Sequence, residues 1–118
     1  MVVFYMLAAI CLAASLAVCP TVEVRPTIGL AHVDIFHWKI VVSPTLKLTE
    51  HERAFVLAHE IGHIVLLHSG LTGTALEIAV DRWAAETMTK IGYNCRVVRP
   101  FLKRIGQPQE RIDAVSCH

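Results

Sequence analysis

With 118 residues the chain has room for one domain built on one core. Its formal net charge is +1 and its Lys and Arg residues are scattered, which excludes a basic stripe for nucleic acid. The hydrophobic share of 54% and mean hydropathy of +0.52 are high for a domain of this size, and the N-terminus supplies much of both.

Residues Met1 to Val18 carry no charged side chain. Ser15-Leu16-Ala17 at the end of this run fits a small-x-small cleavage site that would leave Val18 as the new terminus. The run is also close to the lower length of a membrane-spanning helix. A signal peptide or a membrane anchor therefore accounts for residues 1–18, with a buried core helix as the third reading. Either of the first two implies export to the periplasm or outside, or membrane association through residues 2–18, with residues 19–118 as the domain beyond the cytoplasm. Cys11 lies inside the run, leaving Cys19, Cys95 and Cys117 in a processed chain. Cys95 and Cys117 either pair in an oxidising compartment or stand as two unrelated thiols. No pair has CxxC spacing, so cysteine ligation of zinc is not supported.

Thr21 to Arg25 alternates apolar and polar and stops at Pro26, and Ala31 to Ile35 alternates too. His37 to Val42 is rich in Trp, Ile and Val and stops at Ser43-Pro44. Together these predict a small antiparallel sheet. Thr49-Glu50-His51-Glu52 has the capping-box form and opens a helix that reads through to His68 before Ser69-Gly70. A second helix starts at Thr74 and ends at Gly92. Arg96 to Ile105 predicts a third helix, and Gln109 to Val115 a short fourth.

The chemistry lies in the first two of these helices. His59 and His63 are four residues apart, an advance of about 400°, so both imidazoles project from one face. Glu60 is rotated by about 100° from His59, where this motif uses it as general base toward a water activated by the metal. A catalytic zinc site takes three protein ligands and keeps a fourth position open. Glu77 is the best third ligand. Asp81 shares its helix face and would accept a hydrogen bond from a ligand imidazole. Glu77 could instead close a capping box with Thr74, and Asp81 could pair with arginines. His68 is nine residues from His59 and turned to the opposite face, which suits a cap at the helix end better than ligation. His68 and Arg111 are weaker candidates for contacting substrate or a tetrahedral oxyanion.

The stretch from Lys39 to His68 resembles the gluzincin peptidases of the HtpX, Oma-type and CAAX prenyl protease family, in the run Ala58-His59-Glu60-Ile61-Gly62-His63 and the later His68. Glu77-Ile-Ala-Val-Asp81-Arg82-Trp83-Ala84 is similar to the family's ligand helix, and Ile91-Gly92-Tyr93-Asn94 to its Gly-Tyr-Asp-Pro turn. Gln107-Pro108-Gln109-Glu110-Arg111-Ile112 resembles a late His-Pro-x-x-x-Arg-Ile element, with Gln107 in place of histidine. The resemblance implies an α+β zincin-like domain, its HExxH helix packed on a Glu-x-x-x-Asp helix with C-terminal helices following. It implies Zn2+ held by His59, His63 and Glu77, Glu60 as general base, and a peptide or protein substrate lying along the sheet edge. The function expected is a zinc-dependent metalloendopeptidase. The alternative is a non-catalytic or latent metal-binding module that recognises peptides. A cytoplasmic protease of the repressor-cleaving type shares the His-Glu and later Glu pattern, but the apolar N-terminus and the tail around Arg111 favour the exported reading.

Overall fold

The structure, a computed structural model, describes residues 2–44 and 47–117. Met1 and His118, the outer limits of the two segments expected at 1–18 and 19–118, lie outside the described residues. Helix α1 (Val2–Ala13) leads into strands β1 (Thr21–Val24), β2 (Ala31–Asp34) and β3 (Lys39–Val42). Helices α2 (Glu50–Val65) and α3 (Gly73–Lys90) follow. A 3-10 turn (Cys95–Val97) then precedes α4 (Val98–Arg104) and α5 (Gln109–Ala114).

The sheet is mixed rather than antiparallel. Its order is β1-β3-β2, with β2 antiparallel and β1 parallel to β3. A half-covered strand alternates in the same way beside either kind of partner, so the sequence pattern carried no direction. Ile40 is fully buried on the helix-facing side, opposite Val22 and Val33. β3 begins at Lys39 rather than His37. Trp38 sits in the left-handed region, with φ of 52°, and its indole N–H donates to the Val18 carbonyl at 2.9 Å. β2 keeps one edge free of strand partners among the described residues.

The capping box of α2 is formed. Thr49 Oγ1 accepts from the Glu52 amide at 3.2 Å, and Glu52 Oε1 accepts from the Thr49 amide at 2.9 Å. The helix stops at Val65, one turn short of His68, which falls in an exposed turn. α3 begins at Gly73 with Thr72 at its cap, so the alternative capping box of Thr74 with Glu77 does not form. It ends where Gly92, with φ of 97°, lets the Tyr93 amide reach back to the Met88 carbonyl at 2.8 Å. The expected third helix is divided into the 3-10 turn and α4.

α2 and α3 form the most extensive contact in the molecule. Gly62 makes it close: a Cβ there would lie 3.0 Å from Val80 Cγ1 and 3.1 Å from Trp83 Cε3. The bare surface that Gly62 leaves is therefore where α3 docks, between the turns that carry His59 and His63.

The apolar N-terminal run forms α1, which packs on α2 and α3. Met6, Leu7, Ile10 and Cys11 are buried in the same core as Phe55, Ile61, Met88 and Phe101. Cys11 pairs with Cys19, and Cys95 pairs with Cys117. The first pair was illegible because the charge-free run reads as a segment removed from the domain or lying in a membrane. Cleavage after Ala17 would take Met6, Leu7, Ile10 and Cys11 from the core. No helix among the described residues is long and apolar enough to cross a membrane.

Candidate metal centre

The i,i+4 spacing of His59 and His63 places their Nε2 atoms 3.2 Å apart. The same spacing on α3 puts Glu77 and Asp81 on the face that meets them. Glu77 Oε2 lies 3.2 Å from His59 Nε2, and Glu77 Oε1 lies 3.4 Å from His63 Nε2. Ligands at bonds of about 2.0–2.1 Å from one tetrahedral zinc stand about 3.3–3.4 Å apart. The two nitrogens and the Glu77 carboxylate stand close to these separations, with Oε2 the nearer oxygen to His59 and Oε1 to His63, so the set fits zinc in both chemistry and spacing. Glu60 is buried, and its carboxylate falls with the two imidazoles in one group of donor atoms within 4.8 Å of each other.

Asp81 is fully buried behind the donors. One of its oxygens accepts from His59 Nδ1 at 2.9 Å, which leaves His59 Nε2 directed at the shared point. Arg111 on α5 grips the same carboxylate at two points, Nε to Oδ2 and Nη2 to Oδ1, both at 2.8 Å. Its Nη1 donates to Gln107 Oε1 at 2.5 Å, and Glu77 Oε2 lies 3.8 Å from Nη2.

Burial works against a charge on His59, but hydrogen bonds to Asp81 and Glu77 outweigh it and hold the imidazole up at about 9. The two imidazoles keep Glu77 well below the usual carboxylate range. Burial pushes Glu60 up, against the pull of His59 and His63. A buried carboxylate whose proton affinity is raised, beside a donor triad, is suited to accepting a proton.

The centre lies in an open cleft of about 490 Å³ between α2, β2, α3 and α4. His59, Glu60, His63, Glu77 and Arg111 all line it. His68 is exposed and is not among the lining residues. Arg111 lines the cleft, but its guanidinium is engaged by Asp81 and Gln107 rather than turned free toward a substrate. Sequence reasoning missed His32, Phe101, Leu102 and Ile105, which also line the cleft. They bear no spacing signal, because the tertiary fold alone brings β2 and α4 to the ligands.

A profile of the IrrE N-terminal-like domain, a peptidase M78 family, matches residues 24–90. The chain belongs to that family. The gluzincin group of HtpX, Oma-type and CAAX prenyl proteases is thus not the family matched, although the metallopeptidase character is shared. The HExxH and Glu-x-x-x-Asp spacing that carried that resemblance is set by the geometry of the donors, so it marks the site more than the lineage. The fold is similar to that of the metallopeptidase zymogen of Pyrococcus abyssi abylysin, with a TM-score of 0.54 at 22% identity over 77% of this chain and 91% of that one. No curated protein matches. The chain is a small mixed α+β protein of a peptidase family, with a His-Glu-His group of the HExxH kind.

Proposed function

We propose that the protein is a zinc-dependent metalloendopeptidase in which His59, His63 and Glu77 hold one zinc and Glu60 is the general base. The observation that carries this reading is the convergence of two imidazole nitrogens and the Glu77 carboxylate, with nitrogen–nitrogen and nitrogen–oxygen separations of 3.2–3.4 Å, beside a buried Glu60 carboxylate. When bound, zinc supplies a Lewis acid that polarises a scissile carbonyl and acidifies water. Glu60 takes a proton from the attacking water at its carboxylate and returns it to the departing amine nitrogen. Asp81 fixes the His59 ring through Nδ1, and Arg111 fixes Asp81. The free edge of β2 borders the cleft through Ala31, His32 and Val33 and offers backbone groups to an extended peptide.

The proposal includes function in an oxidising compartment outside the cytoplasm, free or membrane-associated. Two paired sets of cysteines support it, because such pairs persist where thiols are not kept reduced. Fractionation with thiol alkylation tests it: full-length chain in the cytoplasm with free thiols contradicts it.

The experiment for the chemistry measures zinc stoichiometry and peptide hydrolysis in the parent and in Glu60→Gln. The parent is expected to hold one zinc and cleave peptide. The variant keeps the zinc and loses turnover, because an amide cannot take the proton. Equal hydrolysis by the variant removes Glu60 from its role. A parent that holds zinc and cleaves nothing under any condition makes the protein a metal-binding peptide-recognition module.

A further inference from the structure

The polar and apolar parts of the cleft are unevenly distributed. Its charged lining residues are Glu60, Glu77 and Arg111. Two of these belong to the metal centre, and the third is held in two-point contact with Asp81. Among the described residues that line it there is no lysine, no free guanidinium and no carboxylate outside the centre. The remaining polar lining residues are His59, His63, His32 and Gln107, and every other lining residue is apolar.

That apolar surface flanks the donors on both sides along α2. Phe55 lies one helical turn before His59 and meets Phe101 edge-on, with ring centroids 6.0 Å apart. Phe55, Phe101 and Leu102 are buried and back this wall, and Ile105 at the end of α4 is the part of it left partly exposed. On the other side, Leu66 and Leu67 follow His63, and Leu76 comes from the first turns of α3. A peptide laid along β2 with its carbonyl at the donors places the side chains next to the scissile bond against these walls. A charged side chain there would lose water and meet no partner. A large apolar side chain would bury surface at little cost.

We infer that the enzyme selects peptides with large apolar residues flanking the scissile bond, and that the accessible apolar residues of the cleft, Ile105 at the end of α4 and Leu66, Leu67 and Leu76 on the other side, set this preference. The inference rests on the peptidase reading above and names its substrate class. Ile105 is half-buried at the end of α4, so it can be changed with less damage than the buried Phe101.

The test uses the full zinc-loaded chain carrying Glu60→Gln, so that peptide is bound and not consumed. Fluorescence anisotropy follows short labelled peptides identical except for one central residue, Leu, Phe, Lys or Glu. The Leu and Phe peptides are expected to bind at least about tenfold tighter than the Lys and Glu peptides. Ile105→Asp should erase that margin while zinc content stays unchanged. If Ile105→Asp does not fold, the peptide series on the unaltered pocket still decides. Equal affinity across the series overturns the inference, whether or not the parent hydrolyses peptide. An apolar preference in a parent that never cleaves overturns the proposed reaction and leaves the binding preference standing. No binding to any peptide overturns both.

Discussion

The α2–α3 pair and the segment closed by Cys95–Cys117 both border the candidate metal centre, but they reach it differently. α2 and α3 carry the proposed donors directly, His59 and His63 on one and Glu77 on the other, with Asp81 one turn beyond Glu77 behind them. The closed segment carries no donor. Its contribution is Arg111, which grips Asp81, and the α4 wall of the cleft. The segment is tied to the helix pair by polar contacts that include Arg111 to Asp81, Arg104 to Glu52 at 2.7 Å and Arg82 to the Ala114 carbonyl at 3.0 Å. The difference teaches that donor chemistry can be encoded locally by helix periodicity, whereas orientation of a donor depends on contacts between residues 30 positions apart.

This contrast predicts a graded response to substitution. The largest effect outside the donors should follow from opening the closed segment. A disulfide closing a loop of this length contributes about 3 kcal/mol, mainly by constraining the unfolded chain. Cys95→Ser with Cys117→Ser should therefore lower the denaturation midpoint strongly in urea. Unchanged stability would show that α4 and α5 hold their places without the covalent tie.

Arg111→Ala tests the grip on Asp81 and should cost on the order of 10–100-fold in zinc affinity or activity, as should Asp81→Ala. Because both act through His59, the double variant should be little worse than either single one. Additive losses would mean that Arg111 acts separately, on substrate. Arg111→Lys should rescue little, since an ammonium cannot reproduce the two-point contact.

The smallest effect concerns acid. The Arg104 guanidinium, with help from the Thr49 amide and against partial burial, holds Glu52 below the usual carboxylate range. A carboxylate lowered in the fold stabilises it above the ordinary value near 4.5, and that stability is lost as pH falls through the lowered value. Glu52→Gln should therefore flatten the acid side of the stability–pH profile, read by thermal melts at falling pH. An identical acid limb in the variant would place the sensitivity elsewhere.

The same contrast separates what was legible in the sequence from what was not. His59, Glu60, His63, Glu77 and Asp81 could be found because helix geometry turns spacing into a shared face. Thr49 and Gly92 marked helix ends through local backbone chemistry, and the structure uses both. Arg111 was noticed and Asp81 was read as able to pair with arginines, but the two were not joined, because nothing local links residue 111 to residue 81. Strand direction in the sheet was hidden for a similar reason, since parallel and antiparallel neighbours ask for the same alternation. The apolar run at the N-terminus was read by composition as a signal or anchor first and as a buried core helix third, and the described part of α1 packs in the core. Its packing on α2 and α3 depends on the shape of the core, which composition does not carry.

The central claim is that His59, His63 and Glu77 hold one zinc, and zinc K-edge absorption on the purified full chain, alongside Glu77→Ala, tests it most directly. The account predicts one zinc per chain with nitrogen and oxygen neighbours at about 2.0–2.2 Å and no sulfur. It also predicts that Glu77→Ala loses the metal or replaces the carboxylate oxygen with solvent. Sulfur neighbours near 2.3 Å, or a parent spectrum that Glu77→Ala leaves unchanged, would contradict it.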